Sequence, residues 1–68
     1  MVKVEKIKLD PATKTAVADL VADSQSDVGP GMVIEGLPAG YTLGMGSSAF
    51  TMEQEIGFLK SDGTWNWG

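Results

Sequence analysis

Ser47-Ser48-Ala49-Phe50-Thr51-Met52-Glu53-Gln54-Glu55-Ile56-Gly57-Phe58-Leu59-Lys60-Ser61-Asp62-Gly63-Thr64-Trp65-Asn66-Trp67 contains both phenylalanines and both tryptophans of the chain. How this stretch is read decides the fold. Phe50 and Met52 share one side of a strand, as do Ile56 and Phe58, and again Trp65 and Trp67. A helix starting near Ser48 would gather only Phe50, Glu53, Gln54 and Gly57 on one face, a poor apolar stripe. Period two explains more of the large residues than period 3.6. Ser61-Asp62-Gly63 supplies the positive φ that a tight hairpin needs. The stretch therefore predicts an antiparallel meander over residues 47–67, with Glu53-Gln54-Glu55 as its one turn lacking glycine or asparagine.

Upstream, Val2-Lys3-Val4-Glu5-Lys6-Ile7-Lys8-Leu9 reads as a strand from its β-branched content and alternation. Its parity breaks: Val2 and Val4 are even, Ile7 and Leu9 odd. A regular strand sends these pairs to opposite faces. Either a bulge sits near Glu5-Lys6, or only one pair is buried. Lys3, Lys6 and Lys8 read as solvated edge lysines that discourage pairing with other chains, rather than as a basic patch. Asp10-Pro11 has the form of a helix cap followed by a first-turn proline. Beyond it, Val17, Leu20 and Val21 fall on one stripe, with Thr13 and Ser24 at its margins. The spacing predicts a helix over 11–23, alanine-rich and frayed at Asp23, where an acid opposes the helix dipole. Ser24 to Gly31 is a loop, and Met32-Val33-Ile34-Glu35 a brief strand. From Gly36 to Gly46 lies an ordered connection holding four of the nine glycines together with Leu37, Tyr41, Leu43 and Met45. The fold class expected is α+β: an N-terminal strand over 2–9, one helix, a strand over 32–35 and the C-terminal meander, within one small domain.

Composition narrows the functions. A chain of 68 residues buries only ~60% of the surface it exposes when unfolded, so a domain of this size often needs a partner or a staple. No cysteine is present, which excludes disulfides and thiolate metal sites. No histidine is present either, so the usual neutral-pH proton shuttle is missing. Ser47 and Ser48 thus lack an activating base. Five lysines stand against nine acids, for a net charge of −4. That balance argues against nucleic acid, whose phosphates require clustered positive charge. No run reaches the ~20 apolar residues of a membrane span. Charge at every second or third N-terminal position is unlike a signal peptide.

Gly44-Met45-Gly46-Ser47-Ser48-Ala49 fits the loose dinucleotide fingerprint. That motif works only between a strand and a helix inside a βαβ unit, and here the following stretch reads as strand. Glu53, Glu55 and Asp62 could meet at hairpin ends and hold a hard cation. This is the alternative reading, a small ligand- or metal-binding domain using the glycine bends. The leading candidates are interaction residues: Trp65 and Trp67, two neighbouring indoles suited to anchoring a protein partner, with Tyr41 and Phe58. No catalytic residue and no cofactor site is expected.

Gly46-Ser47-Ser48-Ala49-Phe50, then Ile56-Gly57-Phe58-Leu59, then Ser61-Asp62-Gly63-Thr64-Trp65 resembles a pattern in small structural proteins of phages and prophages of Gram-positive bacteria. These are head-fibre-like and tail-associated proteins, and the pattern recurs near their C-termini. The turn Glu53-Gln54-Glu55 departs from the Thr-Gly type usual there. The resemblance implies a virion or assembly component that works by contacts and has no enzymatic activity. It places the protein in the virion or the host cytoplasm. The partner expected is protein, either another copy in a homo-oligomer or an assembly component, with neither nucleic acid nor membrane.

Overall fold

The computed structural model describes residues 1–68. Strands make up 47% of the chain, with no α-helix. The strands are β1 (Val2–Asp10), β2 (Thr15–Ala22), β3 (Ile34–Glu35), β4 (Thr42–Leu43), β5 (Ser48–Thr51), β6 (Ile56–Leu59) and β7 (Trp65–Trp67), with one 3-10 turn at Gln25–Asp27. They form one mixed sheet in the order β3-β1-β2-β5-β6-β7. β4 pairs with β2 through Thr15 and Ala16, on β2's other flank from β1, and β5 pairs parallel with β2 further along, from Asp19 to Ala22.

The α+β expectation is overturned, and the segment responsible is 11–23. Asp10 does act as a cap, its Oδ1 accepting the Ala12 N–H at 3.1 Å. It caps a turn rather than a helix. Lys14 then takes a left-handed conformation, φ 56°, which no helix tolerates. The chain reverses, and β2 pairs antiparallel with β1 from Thr15 to Ala22. Ala16, Ala18, Leu20 and Ala22 are all buried. These four alternate with period two, and Val17 and Val21 point the other way. Alanine fits either period, so the helical stripe of Val17, Leu20 and Val21 masked the strand.

β1 settles the parity problem with a bulge. Its register on β2 shifts between Val4 and Lys6. The extra residue, Glu5, turns the strand so that Val2, Val4, Ile7 and Leu9 lie opposite Ala22, Leu20, Ala18 and Ala16. Paired residues share a face, so all four apolar residues of β1 join the even face of β2. Only one pair is covered all the same: Val2 and Val4 lie under the loop segment, whereas Ile7 and Leu9, toward the hairpin turn, are 37% and 41% exposed.

The core lies on that face. Val2, Ala18, Leu20, Ala22 and Ala49 form its centre, with Val28, Met32, Ile34, Leu43 and both tryptophans packed against it. The cover is chain segment rather than helix. It leaves β2, reaches β1's outer edge at β3, then returns to β2's other flank at β4. Gly36 passes so close that a Cβ there would lie 3.3 Å from Val4 Cβ. The expected strand over 32–35 shrinks to Ile34–Glu35, with Met32 turned into the core.

The meander over 47–67 takes shape as β5, β6 and β7, joined antiparallel. Thr51 builds its unusual turn. Thr51 Oγ1 accepts the N–H groups of Glu53 (3.2 Å) and Glu55 (3.3 Å). Gln54 takes the left-handed conformation, φ 64°, that glycine or asparagine would ordinarily supply.

Candidate interaction surface

The sheet is roofed on one side only, and register assigns every residue to a side. Ala49 and Gly57 lie on the core face, as do Leu59 and Trp65, and Trp67 over Gly57. On the other face, Phe50 pairs with Ile56 and lies beside Val21. Phe58 stands between Ser48 and Asn66. This outer face is bare: Phe50 is 43% exposed, Ile56 44% and Phe58 54%. Val17 is exposed on the neighbouring strand, and Met52, in the turn just after β5, is 71% exposed. The face is therefore an apolar strip along β5 and β6. The lysines of β1 border it: Lys3, Lys6 and Lys8 pair with Val21, Asp19 and Val17 on the same side. Ser48 Oγ donates to Asp19 Oδ1 at 2.9 Å within the strip's polar margin.

Phe58 thus belongs to this outer strip and does not pack with the tryptophans. Trp65 and Trp67 sit on the roofed face, half-buried, with ring centroids 6.3 Å apart and planes at 29°. Trp67 lies flat over Gly57, where an added Cβ would come within 2.8 Å of the indole. Tyr41 lies on neither β6 nor β7. It precedes β4, and the Lys14 ammonium lies 5.4 Å from its ring centre, in cation–π range. The four interaction candidates therefore divide among three places. Phe50, Ile56, Val17 and Met52 were missed. Alternation already put Ile56 on Phe58's side, but nothing in the residues told which side would be roofed.

β7 ends the sheet with an open edge. Lys60 N–H donates to Thr64 O at 2.8 Å, and Gly68 N–H to Ile56 O at 3.3 Å. In an antiparallel ladder the hydrogen-bonded pairs alternate, so these two bracket Phe58–Asn66 as the bonded pair between them. The N–H and C=O groups of Trp65 and Trp67 therefore point away from β6.

The acidic residues of the alternative reading do not converge. No group of three or more acidic side chains gathers anywhere on the molecule. Glu55 accepts the Gln25 side-chain amide at 3.0 Å. Asp62 accepts the Thr64 hydroxyl at 2.6 Å and the Thr64 N–H at 3.0 Å. These bonds hold the Asp62 carboxyl below the usual carboxylate range. The fingerprint-like Gly44–Ala49 stretch is the bend from β4 into β5, with Ser47 wholly buried. The largest cleft, 480 Å³, lies open at the β1–β2 turn between Lys8 and Val17. No helix is long and apolar enough to cross a membrane. No protein-family model, curated protein or solved structure matches the chain.

Proposed function

We propose that this chain is a non-catalytic structural module that self-associates or docks into a larger assembly, with its outer sheet face as the contact surface. The observation that carries this reading is the strip of Phe50, Ile56 and Phe58 standing on ordered backbone with no part of the chain above it. Isolated exposed apolar residues are ordinary, whereas a contiguous strip with a charged border is characteristic of an interaction site. Each residue in it also has an inward neighbour that is buried, such as Ala49, Gly57 or Leu59. The face is thus built by the same strands that hold the core. The resemblance of residues 46–65 to phage structural proteins supports a particle component as the assembly.

Multi-angle light scattering over a wide concentration range tests the reading. The mass is expected to rise above that of one chain, and Phe58→Lys is expected to lower it with the circular dichroism spectrum unchanged. A single-chain mass at every concentration, together with no protein captured in pull-down, would overturn it.

A further inference from the structure

The geometry points to the open edge of β7 as a self-pairing site that joins two copies of this chain into one continuous sheet across a two-fold axis. This deepens the contact role proposed above and rests on it, but it concerns a different surface. Three observations carry it. First, the outward groups are Trp65 N–H, Trp65 C=O, Trp67 N–H and Trp67 C=O, as the ladder bonds at Lys60–Thr64 and Gly68–Ile56 require. Place a second β7 antiparallel with Asn66 opposite Asn66 of the second copy. Trp65 then lies opposite Trp67 of that copy, and all four outward groups on each strand find partners. The edge is complementary to itself in one register, as a two-fold interface must be.

Second, the edge is unguarded. Natural edges are blocked by lysine, proline or a bulge. At the other side of the sheet, β3 covers only Val2 and Lys3 of β1, and the uncovered remainder carries a bulge, Lys6 and Lys8. Trp65-Asn66-Trp67 has none of these devices. It is also uncharged, on a chain of net charge −4 whose copies otherwise repel. Third, the same register groups four indoles on the roofed face. Trp65 and Trp67 are only half-buried in one copy, and side-by-side pairing gives each an aromatic neighbour across the join.

Cysteine crosslinking reads this register directly, because the chain has no cysteine of its own. Asn66 is exposed and would face Asn66 of the second copy at a non-hydrogen-bonded position. The Cα separation there is about 4.5 Å, within the range a disulfide spans. Phe58 lies one strand further in, so its two copies would stand about 14 Å apart, three strand spacings. Under mild oxidation Asn66→Cys is expected to form a covalent dimer at least about tenfold faster than Phe58→Cys, with both variants folded by circular dichroism. The pairing is overturned if Asn66→Cys stays monomeric, if both variants crosslink equally, or if Phe58→Cys crosslinks alone, the result that outer faces stacked on one another would give. Light scattering separates the two ideas. An unmodified chain that associates while Asn66→Cys fails to crosslink refutes the edge alone, and one that stays single refutes the edge and self-association together.

Discussion

Ser47 and Thr51 are the polar side chains enclosed by this small molecule, both 0% exposed. Their hydroxyls join parts of the chain that the sequence keeps apart. Ser47 Oγ accepts the Ala18 N–H at 3.2 Å from the middle of β2 and donates to the Gly44 carbonyl at 2.9 Å. It therefore satisfies a strand donor at a point on β2's flank between the stretches that β4 and β5 cover. Buried N–H groups without a partner are costly, so Ser47→Ala is expected to lose about 1–3 kcal/mol, read as a lower midpoint in urea with the spectrum of the folded state retained. A serine beside two glycines could be recognised as a bend from its neighbours. Its bridging role could not, because Ala18 lies 29 residues away along the chain.

At the scale of elements, the decisive feature is one residue in β1. The broken parity of Val2, Val4, Ile7 and Leu9 was visible in the residues, and so was the position where a bulge would repair it. Register on β2 shows the bulge, and burial shows the other outcome as well, since Val2 and Val4 are covered while Ile7 and Leu9 stay exposed. Deleting Glu5 removes the repair and sends two of the four side chains to the outer face, since a one-residue slip inverts every position beyond it. The deletion is expected to cost about 3 kcal/mol, the transfer of two aliphatic side chains only partly buried at the start. Urea denaturation followed by tryptophan emission measures it. β2 shows the converse case. The cap-like Asp10-Pro11 before it and its own alanines suited a helix locally. The pairing energy of β1 on one flank and β4 and β5 on the other overrode that preference, because backbone groups in a central strand are satisfied on both sides. The turn at Glu53-Gln54-Glu55 was opaque for a similar reason. Thr51 holds it by side-chain bonds that composition does not advertise.

The whole molecule is thin. Four of the seven buried apolar residues are alanines, which lets the covering chain lie close to the sheet but supplies little transfer energy. Leu20 is the largest fully enclosed side chain. Leu20→Ala is expected to cost about 2–5 kcal/mol. Domains at the low end of the usual range have only ~5 kcal/mol in total, so this variant is expected to be largely unfolded at 37 °C by circular dichroism. Phe58→Lys, on the outer face, is expected to leave the melting temperature nearly unchanged at concentrations low enough for the parent to be a single chain. The contrast follows from the one-sided roof. The loop segment that covers the core has no counterpart on the other side, where the chain leaves its phenylalanines facing solvent.

Alternation by itself determined the C-terminal strands, the Asp62-Gly63 hairpin and the pairing of Ile56 with Phe58 on one side and Trp65 with Trp67 on another. These depend on neighbours two residues apart, and side-chain period carries that information locally. Only the tertiary structure decided that residues 15–22 are a strand, that a glycine-rich loop is the roof, and that it lies over the indoles rather than over Phe50 and Phe58. Those outcomes depend on partners far along the chain, where the same alanines and glycines are compatible with more than one arrangement until backbone groups find their mates.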